Sequence, residues 1–140
     1  FNTFVFSKFI NLFTKNGFKS RAFFITHKVF FTLRKSYFFN SITLFSYLVR
    51  CLLLKAEVKP ISLAGRTVNV PFPLSYARQL KLSARLLYKG ISARNERLLL
   101  NRFKNELLGT LKKRSKSYQL WGEVNQSVVS SRAFSHFRWQ

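Results

Sequence analysis

The chain has 140 residues, with 25 Lys and Arg against four Glu and no Asp, a formal charge of +21. A chain so strongly self-repelling calls for an external polyanion, and a nucleic acid is the first candidate. Its 47% hydrophobic content and 17 Phe exclude a disordered basic tail, which is poor in aromatics, and its length fits a single domain over 1–140.

From Phe1 to Phe13, apolar Phe1, Val5, Phe9, Leu12 and Phe13 share one helical face. Asn16-Gly17 ends that helix, because glycine accepts the left-handed conformation of a C-cap; Lys15 and Lys19 bracket the turn. A second helix is predicted from Ser20 to about Arg34, with Phe23, Phe24, His27, Phe30 and Phe31 on its buried side. His27, on that stripe, is expected to be a core or boundary histidine. Asn40-Ser41 can cap a third helix through about Leu54, the most apolar stretch of the chain. Arg50 and the polar Ser41, Thr43 and Ser46 fit a central buried helix better than a membrane span, which needs about 20 apolar residues.

The pattern then changes to period two. Ala56-Glu57-Val58-Lys59 and Thr67-Val68-Asn69-Val70 alternate around a turn at Gly65, which predicts a β-hairpin over about 56–72. Pro71 and Pro73 are expected to end its second strand. The ribbon reads equally as a groove-reaching element or as a plain surface hairpin. After Ser75, an N-cap candidate, Arg78, Lys81, Arg85 and Lys89 line one side of a helix with no acid within a turn. That stripe is read as phosphate-binding, with Tyr76, Ala77, Leu80, Ala84 and Leu87 facing the core. Gly90 is expected to end the helix and Asn95 to cap the next, whose Leu98, Leu99, Phe103, Leu107, Leu108 and Leu111 are core-spaced. Glu106, four residues after Arg102, is expected to pair with it. Lys112, Lys113, Arg114 and Lys116 follow, and cations there suit the negative helix end. Ser117 opens a last helix through Val124 and Val128. The ending Arg132-Ala133-Phe134-Ser135-His136-Phe137-Arg138-Trp139 can stack on bases and bind phosphate, or pack its rings on the core.

Chemistry beyond binding finds little support. Glu57, Glu96, Glu106 and Glu123 are far apart in sequence, so paired acid/base catalysis or a Mg²⁺ site lacks carboxylates. Cys51, His27 and His136 are too few and too scattered for structural zinc, and a lone cysteine closes no internal disulfide. Neither a Gly-rich phosphate loop nor a Gly-x-Ser-x-Gly element occurs. The expectation is a non-enzyme with no catalytic residues, metal, cofactor or small-molecule substrate. The chain contains no Met, which suggests a start upstream of Phe1 or processing. Its excess of Phe, Leu, Lys and Asn looks like the product of an A/T-rich genome, as in many organelles.

These segments together resemble a known family, small-subunit ribosomal protein seven. Lys8-Phe9-Ile10-Asn11 with Asn16-Gly17-Phe18-Lys19-Ser20 is similar to its opening signature, and Glu57-Val58-Lys59, Gly65-x-Thr67 and Val70-Pro71 to its hairpin motif. Arg78, Leu82 and Arg85 fit its basic helix, Asn105-Glu106-Leu107-Leu108 the next, and Arg132 to Trp139 its closing Arg-Ala-Phe-x-His-Phe-Arg-Trp. The resemblance implies a mainly α, six-helix bundle-like domain with a hairpin protruding between the third and fourth helices. It also implies binding to the 3′ domain of small-subunit rRNA and organisation of the subunit head. The hairpin would lie near exit-site tRNA and the mRNA exit path, and platform protein eleven would be among the neighbouring proteins. This chain departs from the family at Ile61-Ser62, where an Arg-Arg is usual, at Gln119-Leu120-Trp121-Gly122, where a basic run is usual, and at Leu86, where a Trp is usual. The family's basic arm before the first helix is absent from this sequence. Apolar replacements of that kind suggest contacts with neighbouring proteins.

The reading is therefore an rRNA-binding structural protein of a mitochondrial small ribosomal subunit, with plastid or bacterial cytoplasm as the lesser options and no membrane partner. Its expected RNA-binding residues are Lys8, Lys15, Lys19, Lys59, Arg66, Arg78, Lys81, Arg85, Lys89, Arg114, Lys116, Arg132, His136, Arg138 and Trp139. The alternatives are a DNA-binding or nucleoid-associated basic helical protein and a membrane-active amphipathic one.

Overall fold

A computed structural model of the chain describes residues 2–14, 16–37, 40–63 and 65–139. The elements are α1 (Asn2–Leu12), α2 (Lys19–Tyr37), α3 (Ser41–Cys51), β1 (Ala56–Leu63), β2 (Arg66–Pro73), α4 (Tyr76–Ser92), α5 (Leu99–Leu111) and α6 (Lys116–Ser130), then a 3-10 segment (Ser131–Trp139). The expected architecture is thus found, with the hairpin between α3 and α4. Lys15, a predicted RNA contact, lies outside the described residues, as does the side chain of Trp139.

The five-helix core is built on phenylalanine. Phe9 of α1, Phe30 of α2, Phe45 of α3 and Phe103 of α5 are all buried, and their rings meet largely edge to face. Phe9–Phe103 is 5.9 Å and 77°, Phe30–Phe103 is 6.1 Å and 78°, and Phe30–Phe45 is 6.2 Å and 80°. Each such pair adds about 0.5–1.5 kcal/mol beyond area burial. Leu87 and Ile91 of α4 belong to the same buried cluster. Among the described residues, no helix is long and apolar enough to cross a membrane.

Several expectations fail locally. On α2 the buried positions are Ala22, Thr26, Val29, Phe30 and Leu33, while Phe23, Phe24, His27 and Phe31 are exposed. Two apolar stripes overlap on this helix, and only one arc can face the core. The buried arc contains the small Ala22 and Thr26, which allow close approach, and the Thr26 hydroxyl is satisfied by donating to Ala22 O at 2.6 Å. His27 is therefore not a core histidine. Helix α3 stops at Cys51, short of Leu54, and the indole of Trp121 in α6 donates to Leu53 O at 3.0 Å in the connector. Tyr76 and Ala77 of α4 are exposed, as are Leu98 and Leu99 at the start of α5.

The hairpin pairs Leu63 with Arg66 across a turn in which Gly65 has φ 80°. Its second strand does not end at Pro71: Pro60 pairs with Asn69, Pro71 with Val58 and Pro73 with Ala56. All three prolines share one parity of the register. Antiparallel ladders alternate between pairs that exchange N–H···O bonds and pairs that do not, so one parity can hold every residue lacking an N–H. The root is tied down where Leu74 N–H donates to Lys55 O at 3.0 Å. Val70 and Pro71 are buried, whereas Arg66 and Thr67 near the tip are exposed. The 3-10 segment packs along β2.

Glycine 90 does not end α4, which runs on to Ser92. It is buried at the point where α4 crosses the α5–α6 junction. A Cβ there would overlap Ser117 Oγ and Glu106 Oε1 and lie 2.8 Å from Ser117 N. Nor does Asn95 cap α5; Leu98 holds the N-cap position.

Candidate nucleic-acid interface

The distribution of acids decides which cations remain available. Glu106 is fully buried and pairs with Arg94, not with Arg102 as its spacing suggested. Arg94 Nη1 donates to Glu106 Oε2 at 2.8 Å, while the Ser117 amide and hydroxyl donate to Oε1 at 2.8 and 2.6 Å. The carboxylate thereby sits at the N-terminus of α6, where the helix dipole favours negative charge. Its hydrogen bond, and a further one to Glu96, raise the pKa of Arg94 against the opposing effect of burial. Arg102 instead donates to the backbone carbonyl of Glu96. The Glu96 carboxylate is held below its ordinary range, first by Asn105, which donates to it at 3.1 Å, and then by Arg94.

Glu57 anchors the hairpin. Arg78 of α4 grips it with both arms, Nε to Oε1 and Nη2 to Oε2, each at 2.9 Å. Lys59 Nζ lies 3.5 Å from the same carboxylate and 5.2 Å from the Phe72 ring centre. Burial alone would raise the Glu57 pKa, but Arg78 and Lys59 outweigh it and the net shift is downward. Arg78, expected as a phosphate contact, is a structural clamp between α4 and the hairpin. Lys81, Arg85 and Lys89 beside it are exposed and make no ion pair among the described residues.

Helices α1 and α4 pack together, and a cleft runs between them. Lys8 and Asn11 of α1 line it with Lys81 and Arg85 of α4, over an apolar floor that includes Val5, Leu80 and Ala84. Sequence periodicity had aligned Lys81 and Arg85; packing adds Lys8 from a helix more than 60 residues away. Three cations around one groove can bind consecutive phosphates of a polyanion.

The other expected contacts do not converge there. Lys19 lies on α2 and lines a separate depression with His27 and Arg34. Lys59 and Arg66 share one face of the hairpin by register. Arg114 and Lys116 flank the buried Ser115, whose hydroxyl caps α6 by accepting from Tyr118 N at 3.1 Å. In the 3-10 segment Arg132, His136 and Arg138 are exposed, and Phe134 is also exposed while Phe137 is half-buried. The segment rests on β2 and leaves its cations exposed. Two departures from the family pattern turn inward instead of toward neighbours: Leu86 is buried, and Trp121 is half-buried with its indole bonded to Leu53. Sequence reading missed the exposed Arg21, Lys28 and Lys35 of α2, because its stripe was assigned to the core.

Comparison with known proteins gives one consistent answer. A family described as ribosomal protein S7p/S5e matches residues 1–131. Small ribosomal subunit protein uS7m of Reclinomonas americana is 29% identical over 140 residues, covering 100% of this chain and 88% of that protein. Small ribosomal subunit protein uS7 of Helicobacter hepaticus is 29% identical over 139 residues, covering 99% and 90%. The uS7 of Nitratiruptor sp. is 30% identical over 140 residues, covering 96% and 87%.

Proposed function

The chain belongs to the ribosomal protein S7p/S5e family, and on that premise we propose that it scaffolds the RNA of a mitochondrial small ribosomal subunit. It is a structural ribosomal protein and not an enzyme. The finer reading is that it binds the 3′ domain of small-subunit rRNA and organises the subunit head. Its hairpin then lies near exit-site tRNA and the mRNA exit path, and platform protein eleven is among its neighbours. One observation carries the mechanism: three of the four glutamates are consumed by internal pairs, while Lys8, Lys81 and Arg85 meet at the α1–α4 cleft. An excess of cations on a rigid frame suits RNA phosphates that would otherwise repel one another.

Binding to a 3′-domain RNA transcript across a salt series tests this. With ~6–10 phosphates engaged, affinity falls by ~10³–10⁵ between 50 and 200 mM salt. An affinity indifferent to salt rejects the mechanism, and equal competition by duplex DNA favours a nucleoid protein instead. The mitochondrial assignment rests on the excess of Phe, Leu, Lys and Asn and the likeness to the Reclinomonas protein. Sedimentation of the tagged chain with mitochondrial small-subunit RNA supports it; recovery only with plastid or bacterial ribosomes overturns it.

A further inference from the structure

We propose that the outer face of α2 docks a neighbouring ribosomal protein, through a segment with an apolar centre and an acidic rim; this rests on the ribosomal reading above. Phe23, Phe24 and Phe31 are 51%, 66% and 64% exposed on this face, and Phe18 just before the helix is 53% exposed. Phe24 and Phe31 stand seven residues apart in α2, which is two turns and about 10 Å along one side. Exposed apolar patches rimmed by polar groups mark interaction sites.

The rim has one sign. Arg21, Lys28, Arg34 and Lys35 surround the rings, and no acid precedes Glu57 anywhere in the chain. The Arg21 guanidinium lies 4.7 Å from the Phe18 ring centre, and Lys28 Nζ lies 5.9 Å from that of Phe24. Cations and rings therefore form a single mixed surface, complementary to carboxylates set around apolar side chains.

Two observations favour a protein over a second stretch of RNA. Helices α1, α3 and α5 each pack against both α2 and α4, so they stand between this face and the α4 cation stripe. In addition, Phe18, Phe23 and Phe24 already meet Arg21, His27 and Lys28 with their rings, which reduces the open π-face that base stacking uses. What remains is apolar area with aromatic side chains, the composition enriched at the centre of protein interfaces.

A photoreactive phenylalanine analogue at position 24 or 31 tests the proposal in purified small subunits assembled with the variant chain. Co-sedimentation with small-subunit RNA is read first; its failure strikes at the ribosomal reading, separately from the docking. In sedimenting subunits both positions should give an adduct to another ribosomal protein, within an Asp- or Glu-containing peptide. Lys28→Glu with Lys35→Glu should cut the yield by about fivefold or more. An RNA adduct, a peptide without acids, no adduct, or a yield indifferent to charge reversal overturns it. So does flotation of the chain with anionic vesicles that is lost in Phe24→Ser with Phe31→Ser, since a membrane would then be the occupant.

Discussion

Replacing Gly90 by alanine should destabilise this protein although helix propensity favours the change. At an interior helical position Gly→Ala gains about 1 kcal/mol. Here the added methyl group overlaps Ser117 Oγ and Glu106 Oε1 and comes within 2.8 Å of Ser117 N. Those atoms are buried and bonded to one another, the Ser117 hydroxyl to Glu106 at 2.6 Å. Moving α6 away far enough breaks at least one hydrogen bond to the carboxylate, about 1.5–3 kcal/mol, and overpacking strain adds about 1–3 kcal/mol. The net is a loss of about 1.5–5 kcal/mol after the propensity gain, or a melting temperature lower by roughly 5 °C or more. Gly122 in α6 supplies the control, because nothing lies within 4 Å of a Cβ there; Gly122→Ala should gain up to about 1 kcal/mol. Thermal and urea denaturation followed by far-UV circular dichroism measure both. A Gly90→Ala chain that melts at or above the wild type refutes the close-approach account.

Glu106→Gln should cost about 2–4 kcal/mol in the same denaturation assay, because Arg94 loses the buried one of its two carboxylate partners and α6 loses its buried anion; a loss within error of zero would show the hub to be dispensable. Arg78→Ala and Arg85→Ala should differ in kind. Arg78→Ala frees the hairpin root, seen as faster amide exchange near Glu57 and Phe72 with a stability loss within about 1 kcal/mol. Arg85→Ala leaves the melting curve unchanged and lowers the salt slope of RNA binding by about 1; identical behaviour of the two would remove the clamp from Arg78. Acid should destabilise the fold through Glu57 and Glu96. Both have folded pKa values below the ordinary 4.5, so the unfolded chain takes up protons first as pH falls. Their stabilisation is complete above that value and is lost as pH drops through the depressed folded values. Melting temperatures should therefore decline below about pH 4.5, and less steeply in Glu57→Gln with Glu96→Gln. An unchanged acid slope would assign the loss to other groups.

The order of elements was legible because it depends on local patterns. Period-two alternation placed the hairpin, the spacing of Phe9, Leu80, Leu87 and Phe103 placed the helices, and Asn16-Gly17 marked a turn in which both residues have positive φ, 51° and 78°. The α2 assignment failed for a local reason too: the helix carries more apolar residues than one buried arc can hold, so periodicity alone had two answers. Pro73 ends β2 as expected, but Pro71 lies within it, because its effect depends on the parity of pairing, which the partner strand sets.

The sequence by itself determined a cationic, phenylalanine-cored helical protein with one ribbon, since charge totals and apolar spacing are properties of neighbours along the chain. Only tertiary structure decided which cations are committed. Glu57 and Arg78 are 21 residues apart, Glu106 and Arg94 are 12 apart, and Lys8 lines one cleft with Arg85 only because α1 lies on α4. Electrostatic pairing follows distance through space, and that distance is fixed by how the core packs.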